Sequence, residues 1–574
     1  MQKRWRVKNS IDSTSVEELR SKLKIDRVVA ELLLQRNITS FEDAQTFFRP
    51  DLNDLHDPFL MKDMITAVDR LAVAIEKSEK ILLFGDYDVD GTTAVALMYA
   101  FLKNKIEVDF YIPDRYTEGY GLSEKGIDYA KENKFDIIVS LDCGIKSNEL
   151  IQYARDLEMD FIVCDHHTPG EELPNAIVLD PKRIDCNYPF KELSGCGVGF
   201  KLLQGLCVKE KWSYDELYSQ LDLLALSIGA DIVDVTGENR ILCYHGLKLL
   251  NESPRIAFKE LLILANRQFP VTLTDVIFTI APRINAAGRL RSGRFAVQLM
   301  ISENVQEINE LAEAINEDNT LRRELDQQIT KDALTIIEED TKFDSKSCTI
   351  VYNPDWHKGV VGIVASRLIE KHYRPTIVLT KSNGLITGSA RSVEGFNLYD
   401  AIDHCSDLLE QFGGHTHAAG LSLKEENLEE FKEKFNSFVE KSIKKEQKVE
   451  EQQIDIALSF DEIFTTEENR MRLPKLKRIL AQFEPHGPGN MKPVFISENV
   501  FSDDVRLLKD AHLKLQMMQP NNDVKLEAIG FNLADKMDFV ASGVPFDVVY
   551  TLEVNRWRDR ETLQLNVKDI RPNI

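Results

Sequence analysis

The chain reads as an α/β protein of several domains: a parallel-sheet lobe, a long helical linker, a second and smaller α/β domain, and a C-terminal β-barrel. Three observations predict this. From about residue 70 five short apolar runs, KILLFGDYD, VDFYIP, FDIIVSLD, DFIVCDHH and NAIVLDP, alternate with segments of helix length, the pattern of parallel strands joined by crossover helices. A second α/β pattern, CTIVYNPDWHKGVVGIVASRLIEKHYRPTIVLT, follows a polar stretch of long-helix character. Beyond the charged KSIKKEQKVEEQQ come short alternating strands with turn residues between them: PVFISENV, HLKLQMMQ, VKLEAIGF, FDVVYTLEV and TLQLNVKDI.

A chain of 574 residues exceeds what one hydrophobic core organises, which agrees with several units. We divide it into a helical lead-in at 1–50, with stretches such as VEELRSKLK and RVVAELLLQR, and a parallel-sheet domain at 51–250. A helical linker at 251–345, the second α/β domain at 346–445 and the barrel at 453–574 complete the chain. Within the linker, NVQEINELAEAINEDNTLRRELDQQITKDALTIIEED is polar on most faces and rich in opposite charges. No apolar run approaches the ~20 residues of a membrane span, and MQKRWRVKNSIDST has no apolar signal core, so the expected compartment is the cytoplasm. The eight cysteines show no CxxC pair and no metal-ligand spacing, which disfavours both disulfides and a zinc site.

The net charge of −23 bears on function. Bulk acidity lowers non-specific affinity for nucleic acid, so a nucleic-acid enzyme of this composition must gather its positive charge locally. The same acidity supplies metal ligands.

Those ligands concentrate at four strand ends. GDYDVDG offers Asp86, Asp88, Asp90 and Gly91. If the strand continues, alternation places Asp88 and Asp90 on one side, a pair able to share cations. SLDCGI offers Asp142, VCDHH offers Asp165, His166 and His167, and SIGADIVD offers Asp231 and Asp234. A single Asp after a strand is often only a helix N-cap. Several acids packed together titrate high unless cations neutralise them, and aspartates with an imidazole suit Mn²⁺ or Mg²⁺. Two such ions about 3.5–4 Å apart can activate water and stabilise a leaving oxygen.

GDYDVDG, SLDCG, DHH and ADIVD, in that order, resemble the four motifs of the DHH phosphoesterase superfamily. The resemblance implies that Asp88, Asp90, Asp142, His166 and Asp231 ligate two ions, typically Mn²⁺ with Mg²⁺ as the alternative. Asp86 and Asp165 would orient ligands and waters, and His167 would face the substrate phosphate. Superfamily relatives include pyrophosphatases, nanoRNases and cyclic-dinucleotide hydrolases, so the other domains must select the substrate.

APRINAAGRLRSG carries Arg283, Arg289 and Arg291; GSARSVEGFN carries Ser389 and Arg391; FGGHTHAAG carries His415. Arginine and serine beside glycine suit phosphate, since guanidinium binds oxygens bidentately and glycine exposes amides. For the glycines alone, tight helix–sheet packing explains them equally well. These segments and the linker are similar to the RecJ family of single-strand-specific exonucleases, and FEPHGPGNMKPVF with the last strands resembles that family's OB-fold domain. The resemblance covers about 50–574. It implies a 5′→3′ exonuclease that releases 5′-mononucleotides from single-stranded DNA in repair and recombination. Arg115, Ser389 and Arg391 would hold the terminal 5′-phosphate, Arg283 and Arg289 the next phosphates, and His415 would line the cleft. In the barrel His512, Lys514, Arg556, Trp557 and Arg558 would contact the strand, with Trp557 either stacking on bases or filling the core. Implied partners are single-stranded DNA, a single-strand-binding protein and a RecQ-type helicase, with the enzyme a monomer. Departures from the family pattern are Asp234 and Met491, each where proline is usual, and the FEPHG loop.

The principal rival is a nanoRNase or small-nucleotide phosphatase with the same core. The barrel and long linker argue against it, and the intact acids argue against a non-catalytic scaffold.

Overall fold

The computed structural model describes residues 3–464, 473–520, 523–557 and 560–573, with only the backbone of Trp557. Among the described residues, no helix is long and apolar enough to cross a membrane.

The five apolar runs form one parallel sheet. Strands β1 (Ile81–Gly85), β2 (Val108–Tyr111), β3 (Ile137–Leu141), β4 (Asp160–Cys164) and β5 (Ile177–Leu179) lie in the order β2-β1-β3-β4-β5. Side-chain alternation sends Ile81, Leu83, Ile137 and Val139 into one core and Leu82, Phe84, Ile138 and Val163 into another on the opposite face. Burial on both sides explains why these strands read as continuous apolar runs. Helices α1 (Val89–Leu102), α2 (Gly195–Glu210), α3 (Leu221–Ala230) and α4 (Gly237–Glu252) pack on the first core.

Strand alternation does not set the Asp88–Asp90 pair, contrary to the sequence expectation. The strand stops at Gly85, and Asp88 is the N-cap of α1, its carboxylate accepting from the Gly91 amide at 3.1 Å. Asp90 lies in the first helical turn, so strand alternation does not relate the two acids. The turn is forced by Gly91, where a Cβ would stand 2.6 Å from the Asp86 backbone. The chain reverses there only because no side chain intervenes.

The polar stretch forms a single helix, α6 (Val305–Glu339), after α5 (Ala281–Leu290). At 1.5 Å per residue it is about 50 Å long. The chain divides into two compact units within α6, one holding Met1–Arg6 with Glu317–Gln453 and the other Val7–Asn316 with Ile454–Ile574. In the first unit, β6 (Thr349–Tyr352), α7 (Val361–Lys371), β7 (Thr376–Ser382), β8 (Leu385–Arg391), β9 (Gln411–Gly414) and β10 (Ala418–Leu423) build a mixed sheet ordered β9-β10-β8-β7-β6. FGGHTHAAG is a β-hairpin in which Gly413 faces Gly420, so its glycines serve strand pairing rather than helix–sheet packing.

In the second unit, β11 (Phe495–Leu508), β12 (His512–Met518), β13 (Leu526–Gly530), β14 (Phe546–Trp557) and β15 (Arg560–Pro572) close into a barrel through β11–β14 pairing. The lead-in shares the barrel's core: Val28, Leu32, Leu33 and Phe47 pack with Phe483, Phe495 and Tyr550. Arg240 of α4 ties lead-in, sheet domain and barrel loop together. Its guanidinium donates to the carbonyls of Phe47, Phe483, Pro485, Gln482 and Glu484 at 2.9–3.3 Å and lies 3.9 Å from the Phe47 ring centroid.

Candidate metal centre

The carboxyl ends of β1, β3 and β4 and the C-terminus of α3 deliver the site. Asp142 follows β3 with φ +62°, its amide bonded to the Cys164 carbonyl. Asp231 caps α3. His166 Nε2 stands 3.1 Å from Asp142 Oδ1, 3.5 Å from Asp231 Oδ2 and 3.7 Å from Asp90 Oδ2. Two groups, Asp142–His166–His167 and Asp90–His166–Asp231, each bring one ligand atom per residue within 4.8 Å of the others. The four segments singled out in the sequence therefore converge. Asp88 adds negative charge felt by Asp142 and Asp231.

Electrostatics sets this cluster apart from a set of helix caps. Burial, and after it the neighbouring carboxylates, push Asp142 and Asp86 well above the usual carboxylate range, raise Asp88, and take Asp231 to about 8. Burial holds His166 below its ordinary value. Both ring nitrogens of His166, Asp142 Oδ1 and Asp86 Oδ2 are buried with no hydrogen-bond partner. Buried polar atoms are normally satisfied, so the unmatched His166 Nε2 and Asp142 Oδ1, 3.1 Å apart, fit a pair of divalent-cation ligands.

Other residues orient these. Asp165 accepts from the amides of His166 (2.7 Å), His167 (3.1 Å) and Ile145 (3.0 Å) and from His167 Nδ1 (2.8 Å). Burial opposes its ionisation, but His167 and the amide donors prevail and take it down to about 2. Burial likewise pulls His167 down, and the Asp165 bond and charge outweigh it, raising the imidazole to about 9. His167 Nε2 lies 3.3 Å from the Tyr120 hydroxyl. Asp86 accepts weakly from the Gly121 amide.

The sequence reading missed the cradle of Asp90. The amides of Gly195 (2.6 Å) and Cys196 (2.9 Å) at the start of α2, and Ser227 Oγ (2.6 Å) from α3, all donate to its carboxylate. A helix N-terminus favours the anion. Gly195 is required there, because a Cβ would lie 2.6 Å from the Asp142 Cβ. The signal was available in LSGCGVG, a serine N-cap before small residues and an apolar run; Ser227, an unremarkable residue in an apolar helix, gave none. Asp180 was also missed. It is buried, with Oδ2 unpartnered, and burial raises it to about 7. Asp234 stands outside both ligand groups and beside Gly489 of the barrel loop.

The proposed phosphate ligands fall into distinct settings. Arg115 lies 5.0 Å from the Tyr87 ring centroid, and it and Arg289 both act on the Tyr87 hydroxyl, one residue from Asp86 and Asp88. Arg283 is different: it is 9% exposed, with Nη1 donating to the Thr279 carbonyl at 2.7 Å and Nε to Asn316 Oδ1 at 3.0 Å, so it braces α5 against α6. In the other unit Ser389 and Arg391 share one face of β8, and a Cβ on Gly362 of α7 would meet both at 3.0–3.1 Å. His415 is exposed at the hairpin tip.

On the barrel, His512 and Lys514 share a face of β12, with Leu513 and Leu515 turned into the core. His512 Nδ1 accepts from the Asn532 amide, and Lys514 lies 3.5 Å from Glu527. Arg556 is exposed and paired with Glu561 at 2.9 Å. Arg558 and the Trp557 side chain lie outside the described residues.

The comparisons with known proteins agree with this architecture. The DHH family N-terminal domain matches residues 80–228 and the DHHA1 domain 345–441, which makes the chain a DHH-family protein. The RecJ OB domain matches 454–569. The single-stranded-DNA-specific exonuclease RecJ of Bacillus subtilis (strain 168) is 35% identical over 99% of this chain and 70% of that protein. RecJ of Thermus thermophilus, crystallised with Mn²⁺, superposes with a TM-score of 0.84 at 24% identity, covering 100% of this chain and 80% of that one. A RecJ exonuclease bound to manganese superposes with a TM-score of 0.60 at 28% identity, covering 69% and 98%. The chain belongs to the RecJ family.

Proposed function

We propose that the chain is a 5′→3′ exonuclease that hydrolyses the 5′-terminal phosphodiester of single-stranded DNA and releases 5′-mononucleotides, with Mn²⁺ or Mg²⁺ as cofactor. The observation that carries this is the convergence of Asp90, Asp142 and Asp231 on the unpartnered nitrogen of His166, in a chain of the RecJ family.

Asp88, Asp90, Asp142, His166 and Asp231 would hold two divalent cations. Bound there, the ions supply Lewis-acid activation of water and neutralise charge gathering at phosphorus. The protein does the rest. The α2 amides and Ser227 fix the Asp90 carboxylate before substrate arrives, and Asp165 fixes the His167 ring. With Nδ1 held by Asp165, His167 has Nε2 beside the Tyr120 hydroxyl, from where it would donate to a phosphate oxygen as negative charge develops. Arg115 and Arg289 are assigned to substrate phosphates, and Ser389 and Arg391, with His415 nearby, to the terminal 5′-phosphate. Only a strand end can fill a terminal-phosphate pocket, which gives digestion its polarity. We further assign the barrel face with His512, Lys514 and Arg556 to the strand. Action as a monomer in the cytoplasm, beside a single-strand-binding protein and a RecQ-type helicase, belongs to the same reading.

The test is digestion of end-labelled single- and double-stranded oligonucleotides with Mn²⁺. Mononucleotides released from the 5′ end of single strands support the proposal. Cleavage confined to dinucleotides, or release from the 3′ end, refutes it.

A further inference from the structure

The turn DRYTEGYG, residues 114–121, follows the edge strand β2 and leads to the helix Glu124–Glu132. It carries Arg115, assigned above to a substrate phosphate, and Tyr120, whose hydroxyl meets His167. Asp114 closes the turn on itself. Its carboxylate accepts from the amides of Tyr116 at 3.0 Å and Thr117 at 2.8 Å, and its carbonyl from the Glu118 amide at 2.9 Å. Gly119 and Gly121, at φ +92° and +77°, flank Tyr120, so the backbone on either side of that ring uses conformations that glycine alone adopts freely. Such a segment needs an anchor.

Glu118 supplies it. The side chain is half-buried, and its carboxylate gathers three neutral donors. Oε2 accepts from the Tyr111 hydroxyl at 2.9 Å and from Ser123 Oγ at 2.6 Å, and Oε1 accepts from the Asp114 amide at 3.0 Å. Each donor comes from a different part of the domain. Tyr111 is the last residue of β2, its ring centroid 5.2 Å from that of Phe84 in β1. Ser123 is the N-cap of the following helix and takes the Gly126 amide at 3.1 Å. Asp114 opens the turn. Burial, and after it the bond to Glu118, raise the Tyr111 hydroxyl above its ordinary value, so it stays a donor. Hydrogen bonds to an ionised acceptor are the strong ones, and Glu118 makes three at one point. What hangs from this anchor meets the metal centre. The Tyr120 hydroxyl lies 3.3 Å from His167 Nε2 and 3.4 Å from the Asp142 carbonyl, and the Gly121 amide lies 3.3 Å from Asp86 Oδ1. The Tyr116 hydroxyl donates to the Arg289 carbonyl, and the Arg115 guanidinium lies over the Tyr87 ring.

We infer that Glu118 is a positioning residue: it fixes the 114–121 turn to the sheet and to the following helix, so that Arg115 and Tyr120 are in place beside the metal centre before substrate arrives. Its three bonds are internal, and it acts only through the turn. Without it the turn would be competent for part of the time, and a binding group in place for about a tenth of the time binds about 10-fold more weakly. That deficit falls on binding through Arg115. It therefore raises KM for 5′-phosphorylated ends, leaves kcat at saturation near its wild-type value, and spares 5′-hydroxyl ends. The end-recognition part rests on the exonuclease reading above; the anchoring of the turn does not.

The test compares wild type, Glu118→Ala and Glu118→Gln as full chains with Mn²⁺ present. Glutamine is the conservative variant: its carbonyl can accept from the Asp114 amide while its NH₂ donates to the two hydroxyls, which rotate to accept. Limited digestion with trypsin, read by mass spectrometry, reports on the turn directly, because Arg115 lies within it. At a temperature where melting curves show all three proteins folded, Glu118→Ala should be cut after Arg115 at least about 10-fold faster than wild type, and Glu118→Gln close to the wild-type rate. With 5′-phosphorylated oligonucleotides, Glu118→Ala should show KM raised about 10-fold and kcat within about twofold, and its preference over 5′-hydroxyl ends should fall by the same factor as KM rises. A Glu118→Ala protein cut no faster than wild type overturns the inference. So does one cut faster whose KM and end preference are unchanged, since Glu118 would then be a brace with no bearing on the site. If the wild type shows no preference for phosphorylated ends, the substrate reading fails, and the tryptic rates still decide whether Glu118 anchors the turn.

Discussion

Replacing Ser227 with alanine tests whether the Asp90 carboxylate is held ready for ions by the protein behind it. Ser227 Oγ donates to Asp90 Oδ1 at 2.6 Å and accepts from Ser194 Oγ at 2.6 Å, and all three residues are at most 1% exposed. No bulk water replaces the lost hydroxyl there. A hydrogen bond to a charged group is worth about 1.5–3 kcal/mol, and Ser227→Ala also leaves the Ser194 hydroxyl without its acceptor. The Gly195 and Cys196 amides still hold Asp90, so the variant should fold with its carboxylate less well oriented. Loss of a group that orients a ligand typically lowers metal affinity about 10- to 100-fold, or about 1.4–2.7 kcal/mol. Calorimetric titration with Mn²⁺ reads this directly. The Mn²⁺ concentration for half-maximal nuclease rate should rise by the same factor while the rate at saturating Mn²⁺ recovers. A folded Ser227→Ala protein with wild-type Mn²⁺ affinity would refute the reasoning.

Three further outcomes are expected. Arg391→Ala should weaken preference for 5′-phosphorylated over 5′-hydroxyl ends in a competition digest; equal loss on both ends would count against a terminal-phosphate pocket. Arg240→Leu removes a buried guanidinium, which burial already holds down at about 10, from five carbonyls, and should lower stability by at least about 3 kcal/mol in urea melts. A change within about 0.5 kcal/mol would show that the loop re-satisfies itself. Burial pushes His486 in that loop down to about 3, below the 6.5 of an unperturbed histidine, so between those values the unfolded chain binds the extra proton. Its stability contribution is therefore complete above about pH 6.5 and falls as the solution is acidified. Between pH 7 and 5 the wild type should lose about 1–2 kcal/mol more than His486→Gln, and parallel losses would remove His486 from the account.

The parallel sheet and most of the metal cluster were legible because the central strands are buried on both faces and are followed by an acid, whereas Asp231 ends a helix and not a strand. Apolar runs such as IIVSL and FIVC therefore mark both the strand and its functional end. The relation of Asp88 to Asp90 was misread because Gly91 turns the chain into α1 immediately after Gly85, and alternation holds only within a strand. Arg283 looked like a phosphate ligand on composition, but its role depends on Asn316, 33 residues on, a contact no local pattern reveals. The lead-in was read as a separate helical segment. Its apolar face belongs to the core of a barrel more than 400 residues away in sequence, since Phe47 packs on Phe483 at 5.2 Å between ring centroids. The barrel loop around Pro488, whose carbonyl accepts from the Val235 amide at 2.7 Å, lies directly behind the Asp231 turn for the same non-local reason.

Calorimetry of the metal-free protein with Mn²⁺, run alongside Asp142→Ala, addresses the central claim most directly. Two ions should bind per wild-type chain, and Asp142→Ala should lose at least one ion and all turnover while single-strand binding persists. A wild-type protein that takes up no Mn²⁺, or an Asp142→Ala protein that keeps both ions and the full rate, would contradict it.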